Sequence, residues 1–248
     1  MCAAPSPPKI KTCIRQLYER LAIAGTANLS RAPILRGEKL ALALGYDTAQ
    51  LPNLNQAWEL FAGCGNPLEM VSVDPEWTVV DLGCGAGLDC QMAALSLLPE
   101  GMAIGIDITV ELLRIAKKYG SKNPRLQCHW LAGDGEFLPL QRESVHLVVA
   151  NGSFNLMPNK EQALTEVCRV LRPGGYLALA DLIRVGEMEP ITDGLEEAWT
   201  WCVAGALSPD EYGDLLKSSG FFRWELSSKC SYGPLTAAHL LAQKALTA

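Results

Sequence analysis

The run Asp81-Leu-Gly-Cys-Gly-Ala-Gly87 is the segment that most restricts how this chain can fold. It follows the short apolar stretch Trp77-Thr-Val-Val-Asp-Leu82 and precedes apolar residues at helical spacing, which predicts a strand–loop–helix junction. Glycines there let the backbone turn sharply and approach a ligand that a Cβ would repel. A dinucleotide loop needs G-x-G-x-x-G, but Leu88 stands three residues after Gly85. The glycines instead recur at every second position behind an acid. An acid in that place suits a cationic or amino-bearing ligand better than a pyrophosphate. A tight turn without a ligand is the plainer alternative.

Strands and helices alternate from about residue 75 onward. Strands are expected near 77–82, 102–106, 126–132, 145–150 and 176–182, and helices near 91–98, 110–119 and 161–171. Arg172-Pro-Gly-Gly175 reads as a turn, and Ser208-Pro-Asp-Glu211 as a capping box opening a further helix. This order implies an α/β fold with a Rossmann-like, doubly wound, mostly parallel sheet. Residues 10–60 read as mostly helical, broken at Gly25 and Pro33, and the Pro-rich opening at 1–9 reads as disordered. Residues 1–70 are therefore expected to form an N-terminal helical cap or lid, and residues 71–248 the main domain.

Composition narrows the function. A net charge of −6 with scattered basic residues argues against a nucleic-acid surface. No apolar run reaches the ~18 residues of a membrane span, and the opening lacks the apolar core of a secretory signal. A cytoplasmic protein acting on a small molecule is expected, with its oligomeric state left open. The nine cysteines then read as reduced thiols. No CxxC pair occurs, so no metal site is expected.

Two acids stand in register with the glycine loop. Asp107 closes the second expected strand, where a carboxylate can accept ribose hydroxyls. Asp134, in Gly133-Asp-Gly-Glu136, closes the third, where it can accept an adenine amino group. Either alone reads as a solvated turn residue. Together with the loop they outline an adenosine.

These segments, with Leu171-Arg-Pro-Gly-Gly175, resemble the class I S-adenosyl-L-methionine-dependent methyltransferases. The resemblance implies that Asp81, Gly83 and Gly85, with Cys84 and Gly87 of the same loop, surround the methionine half of the cofactor. It assigns Asp107 and Ile108 to the ribose side and Asp134, Gly135 and Glu136 to the adenine. It turns Asn151 toward the sulfonium and the substrate. More narrowly, Leu44-Gly-Tyr46, Gly63-Cys-Gly-Asn-Pro67, Asn155-Leu-x-Pro-x-Lys160 and Trp201-Cys-Val-Ala-Gly-Ala-Leu207 resemble the arsenite methyltransferases. That likeness spans roughly residues 15–225 and implies that Cys64 and Cys202 are substrate thiols.

Thiolates suit a soft acceptor such as a trivalent arsenical, another metalloid or a thiol. The chain departs from the family twice. Gly152 follows Asn151 where the family usually has a cysteine, and 27–33 contains none where the family tends to have one or two. These departures keep alive a methyltransferase acting on carbon, nitrogen or oxygen of a metabolite. A non-catalytic cofactor-binding module and a nicotinamide oxidoreductase are further alternatives.

Overall fold

A computed structural model describes residues 6–25, 37–52, 54–97, 101–188 and 194–246. One seven-stranded sheet organises the chain: β1 (Thr78–Leu82), β2 (Met102–Asp107), β3 (Cys128–Ala132), β4 (Val145–Asn151), β5 (Leu171–Arg184), β6 (Phe221–Tyr232) and β7 (Leu235–Lys244). Their spatial order is β3-β2-β1-β4-β5-β7-β6. The first five strands run parallel, and β7 is antiparallel to both β5 and β6. The helices are α1 (Pro7–Ala24), α2 (Gly37–Ala43), α3 (Asn55–Glu59), α4 (Leu88–Ser96), α5 (Val110–Gly120), α6 (Lys160–Val170), α7 (Leu195–Thr200) and α8 (Pro209–Ser218). The expected Rossmann-like α/β fold is the observed one.

The parallel strands are apolar on both sides because both faces of the sheet are covered. Val79, Leu147, Val149 and Ala178 join one core with Tyr46, Trp58, Leu88 and Leu112. Val80, Leu82, Val148 and Leu177 join the other with Leu164, Tyr212 and Leu216. The chain leaves β1 toward β2 and β3, then returns to place β4 on the opposite side of β1. That reversal opens a crevice at the carboxyl ends of β1 and β4, where doubly wound sheets bind ligands.

Three local expectations change. Arg172-Pro-Gly-Gly175 lies inside β5 as a bulge, not before it: Val145 pairs with Leu171, and the next β4 position, Leu147, pairs with Tyr176. Gly174 supplies the left-handed φ of 77° that this detour needs. Within the opening that was expected to be disordered, Pro7, Pro8 and Lys9 belong to α1, with Ser6 before it and Pro7 in its first turn, a position where the missing N–H costs nothing. Residues 1–5 and 26–36, including Pro33 and the cysteine-free segment 27–33, lie outside the described residues. Third, β6 and β7 form a hairpin where no strand was expected.

Candidate active site

The glycine loop joins β1 to α4 through hydrogen bonds that leave little freedom. Gly83 N and Cys84 N both donate to Ile106 O, at 2.8 and 3.1 Å, and Gly87 N donates to Cys84 O at 2.8 Å. Gly83, Gly85 and Gly87 have φ of 74°, 53° and 82°, a region that favours glycine. A Cβ on Gly83 would strike Ser153, and one on Gly87 would strike Trp130. One on Gly85 would meet nothing within 4 Å, because this glycine faces the crevice.

Asp81 and Asp107 brace the loop from beneath. Asp81 accepts from Cys90 N at 2.9 Å and is buried, so desolvation and the neighbouring Asp89 push its pKa well up. Asp107 accepts from Gly85 N at 2.9 Å and from Thr109 N at 2.7 Å. Burial raises its pKa, and those two N–H groups oppose the rise. Each Asp107 oxygen holds one backbone donor and keeps lone pairs for others.

At the end of β3, Asp134 accepts from Glu136 N at 3.0 Å through Oδ1 and from Lys11 Nζ at 2.6 Å through Oδ2. Lys11 also reaches Glu136 Oε2 at 2.6 Å, while Glu136 Oε1 accepts from Asn159 N at 2.8 Å. The buried Glu136 carboxylate is thus spent on α1 and on the start of α6; the cleft wall at this point is Asp134 and Gly135.

Asn151, the last residue of β4, is the centre of a second network. Its Oδ1 accepts from Cys64 N at 2.7 Å and Gly65 N at 3.3 Å. Its Nδ2 donates to Gly65 O, Tyr46 Oη and Asp89 Oδ2 at 2.8, 3.0 and 3.1 Å. Tyr46 Oη donates in turn to Asp89 Oδ1. A Cβ at Gly63 or Gly65 would collide with the Asn151 amide or the His239 ring, so both glycines are needed to seat Cys64. Asp89 is buried, and desolvation lifts its pKa to about 6 although Tyr46 and Asn151 oppose the rise. Sequence reasoning passed over Asp89, which looks like an ordinary first-turn acid of α4; no local pattern marks its partner 62 positions away.

The two singled-out thiols meet at Gly152. Cys202 Sγ lies 3.2 Å from Gly152 O, and a Cβ placed on Gly152 would lie 3.6 Å from Cys64 Sγ. Cys202 holds a left-handed φ of 63°, an uncommon state for a residue with a Cβ and one that clusters at functional sites. Burial pushes both thiols well above the usual range, and the nearby Asp181 adds to the rise. Asp181 itself is raised to about 6 by burial, against hydrogen bonds from Asn155 N and Leu182 N. Lys160 is lowered to about 8 by burial. Its ammonium donates to Asn155 O and Met157 O and sits 4.7 Å from the Trp199 ring centre.

One open cleft connects these parts, with about 1360 Å³ of empty space including its mouth. Gly83–Ala86, Asp107, Ile108, Asp134 and Gly135 line it, together with Gly63, Asn151, Gly152 and Trp201. Cys84 belongs to the wall, with its thiol kept neutral by burial. Cys64 and Cys202 are not lining residues themselves; each is next in sequence to one, Gly63 and Trp201. Lys11 is the one cation among the described lining residues, against Asp89, Asp107 and Asp134. This charge balance and the bare face of Gly85 fit a cationic nucleoside. Among the described residues, no group of three His, Cys, Asp or Glu side chains is placed to hold a metal, and no helix is long and apolar enough to cross a membrane.

Comparison with known proteins agrees with this geometry. The methyltransferase domain family matches residues 74–220. Arsenite methyltransferase of Halobacterium salinarum is 36% identical over 189 residues, covering 75% of this chain and 48% of that protein. Arsenite methyltransferase of Rattus norvegicus is 31% identical over 154 residues, covering 58% of this chain and 41% of that protein. The chain therefore spans less than half the length of these two relatives. Among solved structures, the arsenic (III) S-adenosylmethionine methyltransferase of Chlamydomonas reinhardtii superposes with a TM-score of 0.63 at 26% identity, covering 79% of this chain and 71% of that one.

Proposed function

The chain belongs to the methyltransferase domain family, and from that premise we propose that it moves a methyl group from S-adenosyl-L-methionine to a soft small-molecule nucleophile: a trivalent arsenical, another metalloid or a thiol. One observation carries the reading: a single cleft is lined by Gly85, Asp107 and Asp134 together with Gly152, which two thiols flank. The bound cofactor supplies an electrophilic methyl on a sulfonium. Asp107 would hold the ribose hydroxyls on its remaining lone pairs, with Ile108 on the nucleoside side, and Asp134 and Gly135 would take the adenine. Asp81, Gly83, Cys84 and Gly87 shape the loop around the methionine half, and Glu136 acts through its hold on Lys11.

For an arsenical or other metalloid, Cys64 and Cys202 would each give up the thiol proton to a ligand that leaves the soft centre, as water or free thiol, and form a sulfur bond in its place, which keeps the centre's lone pair for the methyl. Asn151 positions Cys64 by gripping the 63–65 backbone. A trivalent arsenical or metalloid attacks through its lone pair and has no proton to lose, so toward it the protein contributes chiefly orientation and exclusion of water; a thiol acceptor would have to give up its proton. Residues 1–70 serve as the cap and 71–248 as the catalytic unit. Reduced thiols at the centre fit a cytoplasmic setting.

The test is methyl transfer from labelled S-adenosylmethionine to arsenite, methylarsenite and small thiols. Cys64→Ser and Cys202→Ser are each expected to cut turnover by about 100-fold or more, in keeping with loss of an orienting contact. Full activity in both variants on the true acceptor would overturn thiol-based capture. A second reading, methylation at carbon, nitrogen or oxygen, is favoured by Asp89, whose buried carboxylate lines the cleft and could take a proton from such a nucleophile. Turnover of a metabolite that collapses in Asp89→Asn, with arsenite inert, would establish it instead.

A further inference from the structure

Helix α1 is held to the rest of the molecule at two charged points. Lys11 Nζ bridges Asp134 Oδ2 and Glu136 Oε2, at 2.6 Å each, and Lys9 Nζ meets Glu196 Oε1 of α7 at 2.6 Å. The two ties differ in burial. The Lys11 side chain is 20% exposed and that of Glu136 5%, whereas Lys9 is 63% exposed, so salt screens the first tie less than the second. Burial works against the Lys11 ammonium, but hydrogen bonds to the two acids outweigh it and its pKa is raised. Beyond these ties, toward its C-terminal end, α1 contributes Ile14, Tyr18 and Leu21 to the cleft wall.

Asp134 Oδ1 accepts from Glu136 N and Oδ2 from Lys11 Nζ, so an amino donor reaching this acid from the cleft joins a carboxylate that Lys11 already holds. The same carboxylate then meets both the nucleobase and the helix. We propose that Lys11 is the tether that shuts α1 over the nucleoside end of the cleft, so that cofactor exchange is gated by release of this one ammonium. The inference rests on the cleft being the cofactor pocket. Lys11 acts through Asp134 and the helix it carries, which makes it a positioning residue. Its pull is electrostatic, so the gate must respond to ionic strength as well as to mutation.

The experiment measures dissociation of S-adenosylhomocysteine by stopped flow, and amide exchange over residues 7–24, in wild type, Lys11→Met and Lys11→Arg. Lys11→Met is expected to release the ligand about tenfold faster, the equivalent of one partly buried ion pair, and to speed exchange throughout α1. Lys11→Arg is expected to restore both. Raising salt is expected to hasten release more in wild type than in Lys11→Met, where only the exposed Lys9–Glu196 tie is left to screen, a difference that a merely structural residue would not give. Binding by wild type with identical release and exchange in Lys11→Met would overturn the tether. If wild type bound no S-adenosylhomocysteine by calorimetry, the cofactor reading beneath it would fall, and α1 exchange in the free protein would still report whether Lys11 holds the helix.

Discussion

Gly152 is the residue on which the choice of acceptor turns. It separates Cys64 from Cys202, and its φ of 62° is one that glycine adopts freely. In Gly152→Cys the new Cβ would lie 3.6 Å from Cys64 Sγ and 3.0 Å from Ala62 O. The left-handed backbone and the tight carbonyl contact should cost roughly 1–2 kcal/mol of stability. The added thiol should tighten arsenite binding at least about tenfold, since soft centres bind thiolates. Titration of arsenite against tryptophan fluorescence checks this, because Trp201 lines the same cleft. Unchanged affinity would mean that the thiols do not converge on the acceptor. That the glycine loop, Asp107 and Asp134 share one cleft was legible in sequence, because each follows or closes one of three parallel strands. Lys11 and Asp89 were not, because their partners are 123 and 62 positions away and only the fold brings them together.

Among the elements, α8 shows sequence and structure in close agreement. Ser208 Oγ accepts from Glu211 N at 3.3 Å, and Glu211 Oε2 accepts from Ser208 N at 2.7 Å, as the capping box anticipates. Ser208→Ala should lower the unfolding free energy by about 1 kcal/mol, measured in urea with the slope unchanged. A neutral result would show that Pro209 and the Arg184–Glu211 pair hold the helix start without the cap. β7 shows the opposite case. Leu235-Thr-Ala-Ala-His-Leu-Leu-Ala-Gln-Lys244 is rich in helix formers, and its conformation is imposed by pairing with β5 from Tyr176↔Gln243 to Arg184↔Leu235. Burial pattern gave no hint either, because β7 is buried on both faces over most of its length and lacks the alternation of a half-exposed strand.

For the molecule as a whole, the buried acids make stability depend on pH. The folded-state pKa of Asp89 is about 6, above the ordinary 3.8, so the folded protein binds the proton more tightly than the unfolded chain. The stability this confers is complete below about pH 4 and is lost as pH rises through 6. Asp181, also raised to about 6, acts in the same direction. In Asp89→Asn, the fall in unfolding free energy between pH 4 and 7 should be shallower than in wild type by up to about 3 kcal/mol. A constant offset from the lost hydrogen bonds of Tyr46 and Asn151 is expected alongside it. Parallel pH curves for the two proteins would show that Asp89 is ionised at acid pH after all. The strand order has a consequence in time. β6 is synthesised before β7, yet in the finished sheet β7 stands between it and β5. With translation adding about 5–20 residues per second, β6 waits roughly a second for β7, whereas β5, which ends at Arg184 before a β7 that starts at Leu235, waits several seconds. The apolar edge of β5 is open to other nascent chains throughout, which makes the delay before β7 the point of greatest exposure to aggregation during synthesis.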